Sequence, residues 1–237
     1  MTSRAQLILN NKQGLDIIIG IMTKYPEEGL VKTRLVPTLT YSQAAGLYEA
    51  ILLDTIGTID KLSSRFKKVI FHYPENKGIY FNSITDTDWL VLPQSGKDLG
   101  ERLLNAFLEF KEHPSPVIII GSDSPALPGQ YLIDSIGLLS DNDIVLGPTE
   151  DGGFYSIAIK NISKAFIDDI FKNIRWSTSY ALSDIVKNIK IVNKKFALSG
   201  KWYDIDIPGD IERLTSGFNS DDMGNCKNIR QFISKYL

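Results

Sequence analysis

The chain has 237 residues, of which 43% are apolar, and this is enough to form one sizeable hydrophobic core. The 26 lysine and arginine residues nearly balance the 28 aspartate and glutamate residues. No broad basic surface is therefore expected, which argues against a nucleic acid or an anionic membrane as the partner. One cysteine excludes an internal disulfide, and with two histidines the chain is poor in the ligands that zinc prefers.

The apolar runs, of which 17–22 and 117–120 are the longest, are too short to span a bilayer. The N-terminal segment has no apolar stretch typical of a signal peptide. We therefore expect a cytoplasmic protein with one domain over residues 1–237. Its core is expected at about 15–214, followed by a C-terminal loop and helix at 215–237.

Short apolar runs alternate with longer amphipathic ones, a pattern typical of an α/β protein with a mostly parallel sheet. Strands are predicted at 15–23, 67–73, 88–93, 116–121, 143–147, 153–160 and 191–198. Helices are predicted at about 42–62, 98–110, 129–139, 163–171 and 178–189, after Pro208, and at 229–237. The interval "PTEDGG" is too short for a helical crossover, so the sheet is predicted to be mixed there. The polar segment 215–228 is predicted to be a surface loop.

Ligands of open α/β sheets bind beyond the carboxyl ends of the strands, and four loops of this chain leave such ends. The first loop, "TKYPEEGLVKTRL", offers cations and backbone N–H groups that suit phosphates. Its candidate residues are Lys24, Gly29, Lys32, Thr33 and Arg34. The spacing is not that of a P-loop, and a solvated charged loop explains it equally well.

The second loop is "LPQSGKDLGERL". Asp98 can cap the following helix, and Gly100 allows a ligand to approach the backbone closely. Taken alone, this loop is better explained by an ordinary capped helix.

The third loop follows the most apolar run of the chain, "VIIIGSDSPAL". A strand buried on both faces brings Asp123 to the edge of the sheet, and Pro125 stiffens the exit. A carboxylate on such a support suits Mg²⁺, which takes one or two protein carboxylates together with substrate phosphates. An Asx turn or a helix cap is the alternative.

The fourth loop consists of two segments, "GPTEDGGFY" and "KWYDIDIPGDIERL". Gly152 and Gly153 permit a backbone path close to a ligand, although a tight turn is an alternative. Asp204 and Asp206 share one face of an extended segment, so Asp206 is a candidate second metal ligand. The alternative is a helix N-terminus with acids near its positive end.

Six motifs stand in order over about 15–214: "TKYPEEGLVKTRL", "GKDLGERL", "GSDSPAL", "GPTEDGGFY", "WST" and "DIDIPGDIERL". This set resembles a bacterial family of GT-A-like nucleotide-diphospho-sugar transferases, also described as glycosyltransferases associated with radical SAM and selenoprotein genes. The resemblance implies a single-domain, Rossmann-like, three-layer GT-A fold with a mostly parallel mixed sheet. Molybdenum-cofactor and 2-phospho-lactate guanylyltransferases share this fold.

The resemblance also implies roles for individual residues. Asp123 and Asp206 would hold Mg²⁺ (or Mn²⁺), and Lys32 and Arg34 would contact the phosphates, which makes these four the candidate catalytic residues. Binding of the nucleotide or acceptor falls to Lys24, Gly29, Thr33, Asp98, Gly100, Asp151, Gly152 and Gly153. Pro125 stands where D-x-D enzymes carry a further carboxylate.

Three functions stay open at this point. The family description favours glycosyl transfer from a nucleotide sugar to a small-molecule acceptor. The basic "VKTR" run and the missing D-x-D favour nucleotidyl transfer from an NTP to a phosphorylated acceptor, and a nucleotide-binding protein without turnover is the third. The motif loops contain neither a histidine nor Cys226, so no Ser-His-Asp or Cys-His arrangement is supported. The motifs do not specify the base, the sugar, the acceptor or the oligomeric state.

Overall fold

The computed structural model describes residues 17–62, 65–217 and 226–237. Its strands are β1 (Ile17–Lys24), β2 (Phe66–Tyr73), β3 (Trp89–Pro93), β4 (Val117–Gly121), β5 (Ile144–Pro148), β6 (Phe154–Ile159) and β7 (Phe196–Leu198). They form one sheet in the order β3-β2-β1-β4-β6-β5-β7. Neighbouring strands are parallel except where β6 pairs with β4 and with β5. The predicted mixed, mostly parallel sheet is confirmed.

Eight helices are described: α1 (Tyr41–Asp60), α2 (Gly78–Ser83), α3 (Leu99–Leu108), α4 (Gly129–Leu138), α5 (Lys164–Phe171), α6 (Ala181–Ile191), α7 (Pro208–Gly217) and α8 (Lys227–Tyr236). Short 3-10 turns cover Thr33–Leu35 and Glu75–Lys77. Helix α2 was not predicted, because six residues are too few to show a helical period. None of the described helices is both long and apolar enough to cross a membrane.

Two sequence predictions are wrong in detail. The strand predicted at 191–198 is shortened to β7, because α6 continues to Ile191. The loop predicted at 215–228 is helical at both ends, since α7 extends to Gly217 and α8 begins at Lys227. The middle of that loop, 218–225, and the predicted first residues of β1 lie outside the described residues.

Helices cover both faces of the sheet, which confirms the predicted three-layer architecture. One layer contains α3, α5 and α6, and the opposite layer contains α1, α2 and α4. Ile18 and Ile19 are both fully buried because successive residues of β1 point into opposite layers. A strand buried on both faces reads as a continuous apolar run, which is why β1 and β4 were recognisable in the sequence.

Asp54 ties the C-terminal helix to this core. Its Oδ1 accepts hydrogen bonds from the Asn228 backbone N (3.1 Å) and from Asn228 Nδ2 (2.7 Å), and its Oδ2 accepts from Ile229 N (2.9 Å). Asp54 is 6% exposed, so the carboxylate caps α8 inside the protein. Helix α8 also packs against α1 through buried apolar side chains, so it is part of the same domain.

We expect Asp54→Ala to lower the free energy of unfolding by about 3 kcal/mol, because buried N–H groups lose a charged acceptor. Urea denaturation measures this change. Asp168→Ala is the control, since Asp168 pairs with Lys164 on the exposed surface of α5 and the loss of this pair should cost about 0.5 kcal/mol or less. Equal losses in the two variants would show that Asp54 does not hold α8.

Candidate functional site

The predicted site loops converge at one edge of the sheet. Strands β1 and β4 run parallel as neighbours, while the chain proceeds from β1 to β2 and β3 on the other side. Open α/β sheets bind ligands at such a switch point. A cavity of 640 Å³ lies there, within the range of roughly 300–1,000 Å³ that is typical of small-molecule sites.

Most of the predicted site residues line this cavity. They are Lys24, Lys32, Thr33, Arg34, Asp98, Asp123, Asp151, Gly153 and Asp206. Three predicted glycines, Gly29, Gly100 and Gly152, are not part of the lining. Gly100 leaves room for Trp176, because a Cβ at this position would lie 2.4 Å from the indole Nε1. Trp176 itself lines the cavity and packs edge-on against Phe171.

Lys32 forms the centre of the polar cluster in the cavity. Its Nζ lies 2.5 Å from Asp123 Oδ1 and 3.0 Å from Asp206 Oδ1. The lysine side chain is 3% exposed, whereas both carboxylates are about half exposed. The two residues predicted to hold a metal therefore converge on one point, and the ammonium group of Lys32 occupies that point.

Lys32 keeps its positive charge at neutral pH. Burial alone would lower its pKa, but the charges of Asp123 and Asp206 and their hydrogen bonds to the ammonium group raise it above the ordinary value. The backbone of Lys32 is in the left-handed region (φ 48°, ψ 32°) at the start of the 3-10 turn Thr33–Leu35.

Hydrogen bonds connect the loop that carries Asp123 to the segment that carries Asp206. The backbone N of Ile205 donates to Asp123 O (3.2 Å), and the Trp202 Nε1 donates to Pro125 O (2.8 Å). These bonds join the loop after β4 to the segment that carries Asp206. The spacing of Asp123 and Asp206 thus depends on the backbone as well as on Lys32.

Asp204 adds to this connection and also lines the cavity. Its Oδ1 accepts a hydrogen bond from Ser124 Oγ at 2.5 Å. Burial raises the pKa of Asp204 to about 7; the bond from Ser124 opposes this shift, and the nearby charge of Asp123 adds to it.

Asp210 fixes the backbone on the other side of Asp206. Its Oδ2 accepts from Asp206 N and Ile207 N, both at 2.8 Å, at the N-terminus of α7. The helix-terminus interpretation of this segment therefore holds for Asp210, while Asp206 lines the cavity.

The rim of the cavity carries cations without carboxylate partners. In the described part of the chain, Lys24, Arg34 and Lys97 form no ion pair, and all three are exposed and line the cavity. Arg102, also in the lining, donates through Nε to Gly96 O (3.1 Å) and stacks on Tyr73 at 4.1 Å. Sequence reasoning missed Lys97 and Arg102, although both stand in the motif "GKDLGERL".

Two local structures offered as alternatives to a binding role are present: a helix cap at Asp98 and a tight turn in the loop between β5 and β6. Asp98 caps α3 by accepting a hydrogen bond from Glu101 N (2.9 Å). Asp151 Oδ1 accepts from Thr149 Oγ1 (2.5 Å) and from Gly153 N (3.1 Å), which forms a tight Asx-type turn. These contacts coexist with places in the cavity lining for Asp98, Asp151 and Gly153.

A network of buried hydroxyl groups in the cavity lining was not predicted from the sequence. The phenol oxygen of Tyr48 bonds to Thr23 Oγ1 (2.9 Å) and Ser122 Oγ (2.7 Å), and it accepts from Lys24 N (2.9 Å). Tyr48 projects from α1, and no motif marks it. Burial raises its pKa, so the group stays neutral and links the ends of β1 and β4.

Gln94 joins β1 to β2. Its Nε2 donates to Thr23 O and to Phe71 O, both at 2.8 Å. His72, next to this point in β2, is 2% exposed and stacks on Phe81. Burial lowers the pKa of His72, so the imidazole is neutral in the core.

The cavity fits a metal shared with a ligand better than one held by protein alone. Among the described residues, no group of three or more His, Cys, Asp or Glu side chains could hold a metal ion. Asp123 and Asp206 nevertheless direct one oxygen each to a common point. Mg²⁺ usually takes one or two carboxylates from a protein when phosphates supply further ligands. The donor set is therefore suited to Mg²⁺ or Mn²⁺ bound together with a phosphorylated molecule.

Comparison with family models gives one match. The family described as "Uncharacterized protein conserved in bacteria (DUF2064)" matches residues 60–178, half of the chain. The chain belongs to the DUF2064 family. The matched region of this DUF2064 chain includes the loop with Asp123 and the turn with Asp151. A comparison with curated proteins found no match.

Solved structures show the same fold. A "putative nucleotide-diphospho-sugar transferase" from Desulfovibrio desulfuricans G20 is 25% identical with a TM-score of 0.77, covering 93% of the DUF2064 chain and 98% of its own. A cytidylyltransferase from Leptospira borgpetersenii is 14% identical with a TM-score of 0.54, covering 94% and 95%. The 4-diphosphocytidyl-2C-methyl-D-erythritol synthase from Anaerococcus prevotii is 11% identical with a TM-score of 0.53, covering 92% and 99%. The predicted GT-A-like fold is confirmed.

Proposed function

We propose that the protein is a nucleotide-dependent transferase that moves a glycosyl group from a nucleotide-diphospho-sugar to a small-molecule acceptor, with Mg²⁺ or Mn²⁺ on Asp123 and Asp206. The observation that carries the proposal is the contact of Lys32 with both carboxylates inside a 640 Å³ cavity at the switch point of the sheet. The similarity to the Desulfovibrio structure supports a nucleotide sugar as the donor.

The cations of the cavity suit the diphosphate. Lys24 and Arg34 have no carboxylate partner in the described chain, so their charges are available to phosphate oxygens. Fixed positive groups lower the energy of the charge that develops on a leaving diphosphate. A divalent cation, when bound, would offset the same charge on the phosphate oxygens.

The fixed polar groups around the cavity give the site its rigidity. Tyr48, Gln94 and Asp210 hold strand ends and the Asp206 backbone through the hydrogen bonds described above. Positioning of this kind favours transfer because the reacting groups lose less freedom at the reaction step. Trp176 and the turn at Asp151 lie along the cavity wall and are available to the sugar or the acceptor.

Nucleotidyl transfer is the second candidate. It is favoured by the fold that the chain shares with the cytidylyltransferase from Leptospira borgpetersenii and by the concentration of cations at the cavity rim. In this reaction an NTP would donate NMP to a phosphorylated acceptor and release pyrophosphate. An assay for product distinguishes the third function, a binding protein without turnover, from both enzymatic functions.

A thermal-shift screen with Mg²⁺ distinguishes the donors. At a ligand concentration of about 100 times Kd, binding adds about 2.7 kcal/mol of stability, or roughly 5–10 °C in the midpoint of unfolding. We expect one nucleotide-diphospho-sugar to stabilise the protein more than the NTP of the same base. The reverse order would support nucleotidyl transfer, and no stabilisation by any nucleotide would refute both enzymatic functions.

A further inference from the structure

We infer that Lys32 is a resident cation of the metal site, so that the protein takes up its divalent ion as a metal–nucleotide complex and binds the bare ion poorly. The inference rests on the proposed metal site at Asp123 and Asp206. Beyond the proposed function, it states that metal and nucleotide bind together and that each increases the affinity of the protein for the other.

The ammonium group of Lys32 and a divalent ion would compete for the same two carboxylate oxygens. Its Nζ lies 2.5 Å and 3.0 Å from the two oxygens that would coordinate the metal. A divalent ion on these oxygens would lie within a few ångströms of the ammonium group, and two cations at that separation repel strongly at the low effective dielectric of a protein. The ammonium group must therefore move before both oxygens can bind a metal.

The side chain of Lys32 is the part that can move. Its backbone is held at a left-handed residue by the bond from Leu35 N to Lys32 O (3.0 Å), at the start of the 3-10 turn. The flexible four-carbon stem of lysine, in contrast, can carry the charge to a new partner within reach. In the described part of the chain, Asp123 and Asp206 are the carboxylates with which Lys32 forms salt bridges.

A nucleotide supplies the new partner. Its phosphate oxygens can accept the ammonium group while they also complete the coordination of the metal. Lys24 and Arg34 keep the rim of the cavity positive, which favours an anionic metal–nucleotide complex over a free divalent cation. Metal and nucleotide each increase the affinity of the protein for the other, and this coupling is reciprocal.

Lys32→Met tests the competition with Mn²⁺ as the probe and without nucleotide. Electron paramagnetic resonance measures free Mn²⁺ in solutions of the full chain. We expect the variant to bind Mn²⁺ about ten-fold more tightly than the unmodified protein, because one positive charge near the metal has been removed. Lys111→Met is the control, since Lys111 is exposed and lies outside the cavity lining, and its Mn²⁺ affinity should equal that of the unmodified protein.

A second variant keeps the test valid if Lys32→Met does not fold. Lys32→Gln keeps polar atoms beside the carboxylates but removes the charge, and it should show the same gain in Mn²⁺ affinity. Thermal unfolding verifies that each variant is folded. Addition of nucleotide should increase Mn²⁺ affinity several-fold more in the unmodified protein than in either Lys32 variant.

Two failures are distinguishable. If Lys32→Met and the unmodified protein bind Mn²⁺ equally while Asp123→Asn weakens both, the metal site stands and the competition by Lys32 is wrong. If Asp123→Asn leaves Mn²⁺ binding unchanged in both backgrounds, the proposed metal site is wrong and the inference falls with it.

Discussion

Asp123→Asn is expected to weaken nucleotide binding in the presence of Mg²⁺ by about 100-fold or more, equivalent to about 2.7 kcal/mol. The substitution removes a carboxylate that would hold the metal, but it preserves the shape of the side chain. The backbone O of Asp123, which accepts from Ile205 N, is retained, so the fold around the site should persist. Isothermal titration with the nucleotide that stabilises the protein most provides the measurement.

The same titration in EDTA makes the result specific to the metal. Without a divalent ion, the variant should bind the nucleotide as well as the unmodified protein or slightly better, because a negative charge near the phosphates is gone. Asp141→Asn changes the net charge equally at an exposed residue outside the cavity lining and should have no effect in either buffer. An equal loss with and without Mg²⁺ would mean that Asp123 contacts the nucleotide or supports the fold, and does not bind a metal.

Gly152→Ala is expected to destabilise the protein by about 3 kcal/mol and to lower its unfolding midpoint by roughly 10 °C. Gly152 has φ +89°, where a side chain is strained, and a Cβ would lie 2.2 Å from the backbone O of Ser179. The three atoms nearest to this Cβ all belong to the backbone of Ser179, so relief requires a shift of the loop before α6. That loop includes Trp176 and Thr178 of the cavity wall, and nucleotide affinity should fall as well.

Gly57→Ala is the matched control for this effect. Gly57 lies in the last turn of α1, and a Cβ there would meet no atom within 4 Å. This variant should gain up to about 1 kcal/mol from the higher helix propensity of alanine. Thermal and urea unfolding of both variants give the comparison. Unfolding of Gly152→Ala at the midpoint of the unmodified protein would contradict the packing described for the loop before α6.

The sequence was informative where burial leaves a simple pattern. Strands β1 and β4 are buried on both faces, so their apolar runs predicted them and located the loops at their ends. The five residues between β5 and β6 exclude a helical crossover, and this predicted the antiparallel β6 correctly. Helix α2 was not predicted, because six residues are too few for a period to emerge, and β7 was predicted too long, because α6 continues to Ile191.

The contacts within the site depended on tertiary structure. The motifs identified Lys32, Asp123 and Asp206 as candidates. These residues are 83 to 174 positions apart along the chain, and this spacing does not indicate that the lysine bridges the two acids. Lys32 was expected on phosphates, and its contact with the carboxylates became visible only in three dimensions. Tyr48 contributes one phenol oxygen from an otherwise ordinary helix, which no sequence pattern distinguishes from a core aromatic residue.

Crystals of the protein with the best-bound nucleotide and Mn²⁺ test the central claim most directly. Anomalous diffraction locates the metal independently of the protein coordinates. We predict one Mn²⁺ coordinated by Asp123, Asp206 and phosphate oxygens, with the Lys32 ammonium group moved from the carboxylates to the phosphates. A nucleotide bound outside the cavity between β1 and β4, or a metal that contacts neither carboxylate, would contradict the claim.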